Sequence, residues 1–172
     1  MVLDHFHVKS YLNKALDTVR KEQLQKARKD KNGDLADLLH CHKKFILMQI
    51  RSSKRQHDVL EQLAELNSEV YRGMLLKEQF LEVYRSDTRK VASAGLSRWI
   101  TVAFRSGISA FMELAEKLYR KLHFILNYFV LQITTAIFEG INNKIKRLKR
   151  MAYGYKDIGY FLLKIHQHCG VA

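Results

Sequence analysis

Apolar residues recur along this chain at steps of three and four, the spacing that gathers them on one face of an α-helix. Leu12, Ala15, Leu16 and Val19 form a first stripe, which runs into the polar, basic stretch Arg20 to Lys31. Leu35, Leu38, Leu39, His42, Phe45, Ile46 and Ile50 form a second. Leu60, Leu63, Leu66 and Val70 form a third, continued by Leu76, Phe80 and Tyr84. Further stripes pass through Trp99, Val102 and Ala103, and through Phe111, Leu114, Ala115 and Leu118. Breaks are expected at Asn32-Gly33, near Ser86-Asp87, near Gly95 and at Ser106-Gly107. Asp58, with Glu61 three residues on, predicts a loose capping box at a helix start. Strand is suggested in two places only. Met1-Val2-Leu3 is a short apolar run ending at Asp4, and Ile125 to Ile133 is compatible with a buried strand or a buried helix. No fixed-period repeat and no low-complexity linker interrupts the pattern, which predicts a mainly α chain.

Composition sharpens this reading. The chain has 172 residues and no proline, so the strongest helix breaker is absent. A hydrophobic share of 47% suffices for a packed core and argues against disorder. Two cysteines, Cys41 and Cys169, without a CxxC pair, exclude a disulfide-dense scaffold. The N-terminus carries no basic and apolar leader, so secretion is not expected. Leu122 to Phe138 holds no charged residue, but its polar His123, Asn127, Gln132, Thr134 and Thr135 favour a buried core segment over a bilayer span.

Charge changes the picture most. The net charge is +13, and +5 of it falls between Glu139 and Ala172, centred on Lys144-Ile-Lys-Arg-Leu-Lys-Arg150. On a helix, Ile141, Ile145, Leu148 and Ala152 make one apolar stripe, and Glu139, Asn142, Asn143, Lys146, Lys149 and Arg150 share the rest. Cations that neutralise phosphates, beside amides that donate to phosphate oxygens or base edges, suit a nucleic-acid backbone. A solvated basic helix with Glu139 near its positive end is the competing reading.

The run Glu139-Gly140-Ile141-Asn142-Asn143-Lys144-Ile145-Lys146, followed by Lys149-Arg150-Met151-Ala152-Tyr153-Gly154-Tyr155, resembles the C-terminal signature of the ISL-three family of DDE transposases of bacterial insertion sequences. Leu3-Asp4-His5-Phe6-His7-Val8 is similar to the end of the strand bearing that family's second catalytic aspartate. Leu66-Asn67, Leu75 to Phe80, and Trp99 with Ser106-Gly107-Ile108 resemble its helical middle, so the likeness runs through essentially the whole chain.

The resemblance implies a remnant of a ribonuclease-H-like α/β catalytic core with a large all-helical insertion. Residues 1–8 would be the strand end, 9–121 the insertion, and 122–172 a core segment with the Glu-bearing basic helix. By match, Asp4 and Glu139 would be the second and third carboxylates of a two-metal centre. Such a centre takes Mg²⁺ or Mn²⁺, hard cations that prefer oxygen ligands, and cuts and joins DNA phosphodiesters. His7, Asn142, Asn143, Lys144, Lys146, Arg147, Lys149, Arg150, Tyr153 and Tyr155 would contact DNA. The implied partners are transposon ends and a second transposase chain, either a homo-oligomer or a full-length transposase, with no membrane; the implied place is the bacterial cytoplasm, at the nucleoid. Only Met1, Val2 and Leu3 precede Asp4, so the family's first aspartate has no counterpart here. The expectation is a fragment that is inactive alone and, with strand edges uncovered, loosely packed or prone to aggregate. A non-catalytic basic DNA-binding helical protein, and a membrane-associated protein using 122–138, are the alternatives.

Single residues carry weaker expectations. Trp99 is read as core rather than as a base-stacking platform, and Gly154 as the cap of the Glu139 helix. His40, Cys41 and His42, and likewise His166, His168 and Cys169, lack paired zinc spacing and are read as surface or core residues.

Overall fold

The computed structural model describes residues 5–48, 54–131, 135–151 and 157–169. Among these, every regular element is an α-helix: α1 (His5–Lys29), α2 (Gly33–Cys41), α3 (Lys43–Leu47), α4 (Lys54–Leu66), α5 (Ser68–Val83), α6 (Arg89–Arg105), α7 (Ser109–Arg120), α8 (Leu122–Leu131), α9 (Thr135–Met151) and α10 (Ile158–Cys169). The mainly α expectation therefore holds, and the open choice over Ile125 to Ile133 resolves to helix as far as Leu131. Of the expected strand end at 1–8, Met1-Val2-Leu3 and Asp4 lie outside the described residues, and His5 to Val8 are the first residues of α1 rather than strand. The backbone divides into two compact units, Met1–Gln132 and Ile133–Ala172.

The first unit is built around α1, which packs against α2, α3, α5 and α7. Val8, Leu12, Leu16 and Val19 on α1 are fully buried, as are Met74 and Phe80 on α5 and Phe111 and Leu118 on α7. Most of these are residues whose spacing predicts the stripes. Helix α6 packs against α5, α7 and α8, and α4 packs against α5. Trp99 on α6 is core, as expected. Its ring meets Phe80 edge-on at 4.7 Å, and its indole N–H donates to the Leu76 carbonyl at 2.7 Å. The Lys117 ammonium sits over the Tyr11 ring, 3.8 Å from its centroid, adding a cation–π contact between α7 and α1.

Helix starts follow capping chemistry. Asn32, Asn67 and Thr88 precede α2, α5 and α6, and each side chain accepts from a backbone N–H three residues on. Asn67 also donates to Gln23, which in turn donates to Glu69, so the start of α5 is fastened to α1. At the other end of α1, Lys31 takes a left-handed φ of 55° and the Asn32 N–H returns to the Ala27 carbonyl at 2.9 Å. Gly107, with φ 71°, makes the turn between α6 and α7, as its place after Ser106 predicts.

Two predicted boundaries are corrected. Asp58 does not start a helix: α4 begins at Lys54, because burial of Gln56, Val59, Leu60 and Leu63 sets a register that begins a turn earlier. Gly95 does not break one either. It lies inside α6, and a Cβ there would stand 3.2 Å from Val83 Cγ2, so glycine serves the close approach of α6 to α5.

Three buried polar side chains complete the first unit, and each satisfies carbonyls at or near the end of a short helix. Arg20 donates to the Leu39 carbonyl in α2, Gln56 to Phe45 in α3, and Lys77 to Leu47 and Met48 at the end of α3. Arg20 is also paired with Asp17 at 2.7 Å. Burial acts on Asp17 to raise its pKa, but hydrogen bonds from Lys21 and Arg20 outweigh it and hold the carboxyl below its ordinary value. Lys77 is 1% exposed, and burial pulls its ammonium down to about 8, against the opposing pull of Glu78 at 3.7 Å.

Candidate nucleic-acid interface

The second unit pairs α9 with α10. Helix α9 begins at Thr135, one turn before Glu139, so that glutamate is the fifth residue of the helix rather than its opening residue. The predicted apolar stripe is present: Ile141, Ile145 and Leu148 are half-buried. Asn143, Lys144, Lys146, Arg147, Lys149 and Arg150 are exposed. None of the five cations has an ion-pair partner among the described residues; Arg150 instead donates to the Lys146 carbonyl at 3.4 Å. The helix thus separates a half-buried apolar side from a cationic one. Its last turn carries Lys149 and Arg150, where the macrodipole favours positive charge.

Helix α10 is capped by Asp157, whose carboxylate accepts from the Tyr160 N–H at 3.1 Å. The Lys164 ammonium lies 5.6 Å from the Tyr160 ring centroid. Ile158, Leu162 and Leu163 remain more than half exposed, which is unusual for three large aliphatic side chains on one short helix.

The remaining predicted site residues fall as follows. His7 is exposed in the first turn of α1. Asp4, Tyr153 and Tyr155 lie outside the described residues, as does Gly154; Glu139 and Asn142 are placed by the backbone of α9 alone. The meeting of Asp4 with Glu139 therefore stays an expectation. Among the described residues no group of three or more His, Cys, Asp or Glu side chains could hold a metal. Cys41 is exposed, with its Sγ 3.9 Å from His40 Nδ1. No helix among them is long and apolar enough to cross a membrane, and α8 ends at Leu131 within the uncharged 122–138 segment.

One cationic surface is not foreseen by the sequence reading. Helix α6 carries Arg89, Lys90, Arg98 and Arg105, all exposed, and no acidic residue. The signal exists as an unbalanced charge count within one helix, but its four cations are dispersed, whereas those after Asn143 form a dense block.

A family model described as "Transposase", for the DDE enzymes of the ISL-three type, matches residues 1–165. The chain belongs to this transposase family. It is 33% identical over 168 residues to the transposase for insertion sequence element IS1001 of Bordetella parapertussis, covering 96% of this chain and 41% of that protein. It is 32% identical over 105 residues to the transposase for insertion sequence element IS1557 of Mycobacterium tuberculosis (strain ATCC 25618 / H37Rv), covering 61% of this chain and 23% of that one. The chain thus spans about two-fifths or less of the length of these curated relatives. No solved structure matches it. The family match confirms the resemblance read from the two end motifs and the helical middle.

Proposed function

We propose that these 172 residues form the C-terminal part of the catalytic region of an insertion-sequence transposase and bind the DNA of transposon ends through α9. The observation that carries this reading is the cationic side of α9, exposed and without carboxylate partners among the described residues, within the matched family region. Lys144, Lys146, Arg147, Lys149 and Arg150 neutralise phosphates, while Asn142 and Asn143 donate to phosphate oxygens or base edges. Tyr153 and Tyr155 add to this surface by stacking or by touching the backbone, and His7, on the first unit, makes a DNA contact of its own.

Asp4 and Glu139 are the second and third carboxylates of the metal centre. Two carboxylates are hard oxygen donors, which fits Mg²⁺ or Mn²⁺ and leaves coordination positions for water and phosphate. Asp4 and Glu139 would hold such an ion, and the chemistry it would supply when bound is activation of a water or 3′-hydroxyl and stabilisation of the leaving oxygen. The ribonuclease-H-like core is the scaffold that would bring the two carboxylates together. Assembly with a further transposase chain belongs to the same reading and is favoured by the exposed Ile158, Leu162 and Leu163. By match, the polypeptide supplies two of the three carboxylates, so by itself it binds DNA without cutting it.

The test uses the 172-residue protein and a fluorescein-labelled duplex carrying an insertion-sequence end, read by anisotropy over a salt series. The triple variant Lys146→Gln, Lys149→Gln, Arg150→Gln should bind more weakly, with the slope of log affinity against log salt lowered by about 0.9 for each phosphate no longer neutralised. An unchanged slope overturns the DNA reading. In a nicking assay with Mg²⁺ or Mn²⁺ no product is expected; a product abolished by Glu139→Ala would overturn the inactivity.

A further inference from the structure

We infer that the exposed face of α6 is a second DNA-backbone contact, held by the first compact unit. This rests on the reading of the chain as a DNA-binding part of a transposase, and it adds a separate surface to it. Lys90, Ala94, Ser97, Arg98 and Thr101 are exposed along the middle of this face, flanked by the exposed apolar Val91, Val102 and Phe104, and Arg89 and Arg105 stand at the two ends. A groove of about 600 Å³ lies beside the first half of α6, lined by Arg89, Lys90, Ser93, Ala94, Ser97 and, from α8, Leu126. Small and hydroxyl side chains between the cations let a backbone come close and offer donors to phosphate oxygens.

Three comparisons within the molecule separate this face from an ordinary solvated one. First, α7 mixes its charges and pairs Glu116 with Arg120, whereas none of the α6 cations has an acidic partner among the described residues. Second, α1 is also basic, but its Lys26, Arg28 and Lys29 occupy the last turn, where the helix dipole favours them, and its Arg20 and Lys21 pair with Asp17. Arg89 and Lys90 occupy the first turn of α6, where the dipole opposes them and no acidic residue shares that turn. Their placement does not serve the stability of the helix. Third, the charge composition repeats that of α9: four cations and no acid in 17 residues for α6, five cations and one acid in 17 for α9.

Dimensions agree with duplex DNA. Lys90 and Arg105 share this face and are 15 residues apart on one continuous helix, which at a rise of about 1.5 Å per residue spans roughly 22 Å. That matches the axial length of about seven base pairs. The cations are dispersed along the helix with no acidic residue among them, which suits phosphates spaced along a backbone; reading of guanine by an arginine is the sequence-dependent outcome that the unrelated duplex detects.

The experiment compares two variants of the 172-residue protein: Lys90→Gln with Arg98→Gln on α6, and Lys146→Gln with Lys149→Gln on α9. Anisotropy titrations over a salt series use an insertion-sequence-end duplex and an unrelated duplex of equal length. Circular dichroism melting verifies that both variants fold, which exposed cation-to-amide changes should not prevent. The salt slope of the α6 variant should fall by about 0.9 for each phosphate left unneutralised, equally on both duplexes. An unchanged slope for α6 beside a reduced one for α9 overturns this inference and leaves the DNA reading standing. Unchanged slopes for both overturn the DNA reading and this inference together. A fall confined to the insertion-sequence-end duplex overturns the assignment to phosphates.

Discussion

The two compact units handle their apolar residues in opposite ways. In Met1–Gln132, Val8, Leu12, Leu16, Met74, Phe80, Phe111 and Leu118 are sealed from solvent among neighbouring helices. In Ile133–Ala172, Ile141, Ile145 and Leu148 of α9 are half-buried, and Ile158, Leu162 and Leu163 of α10 are 73%, 59% and 63% exposed. The difference teaches where stability resides. The first unit closes a core on its own residues. The second leaves its cations and several of its apolar side chains exposed.

The largest effect expected from this contrast comes from truncating one large side chain in each unit. Phe111→Ala, in the first, should lower unfolding free energy by about 3–5 kcal/mol in urea titration. Leu163→Ala, in the second, should change it by no more than about 0.5 kcal/mol. Comparable drops from both would mean that α10 is packed as tightly as α7, and the contrast would fail.

The next effect is on pH. Lys77 titrates at 10.5 in an unfolded chain and at about 8 when buried, so between those values the unfolded chain holds more protons. Stability should therefore rise with pH through this window, by up to about 1.4 kcal/mol per unit, and the cost of burying the charge is felt in full below it. Glu78 and Lys9 are the charges that act on the ammonium. Measured as the difference between the parent chain and Lys77→Met, the rise should be present in the former only. A parallel pH dependence in the two would show that Lys77 stays charged in the fold.

The smallest effects come from two helical glycines. A Cβ at Gly73 in α5 would stand 3.1 Å from Leu16 Cδ1 and 3.2 Å from Phe111 Cε2. Overpacking should exceed the helix-propensity gain, for a net destabilisation of about 1 kcal/mol in Gly73→Ala, read as a lower urea midpoint. Gly140 in α9 has nothing within 4 Å of a Cβ. There Gly140→Ala should stabilise the helix by about 0.5–1 kcal/mol, read as slower hydrogen exchange along α9.

What is legible in the sequence follows from the range of the interactions involved. Helical periodicity is local, so the stripes of α2 and α7 predict their buried faces residue by residue, whereas those of α1 and α5 miss the buried Val8, Leu24 and Ala27 and the buried Met74, Leu81 and Val83. Val102 and Leu66 break the pattern: both sit on predicted stripes yet are 40% and 46% exposed, because neither faces a packed neighbour. Gly95 reads as a break in the sequence and is none in the fold, because its role is set by Val83 on another helix. Arg20, Gln56 and Lys77 give no sign of burial for the same reason: their partners are carbonyls 19, 11 and 29 to 30 residues away. At the candidate site, the amphipathic face of α9 and the family are legible. The approach of Asp4 to Glu139, about 135 positions apart in sequence, depends on long-range topology, which no local pattern encodes.

Because α1 packs against α7, a helix made early in this stretch is completed by one made later. Ribosomes add roughly 5–20 residues each second. Val8, Leu12 and Leu16 thus emerge several seconds before Phe111 and Leu118 exist to cover them. During that interval the nascent chain presents an uncovered apolar ridge of the kind that holdase chaperones grip. Any copy of the gene interrupted before α7 would leave that ridge permanently bare, marking its product for proteolysis.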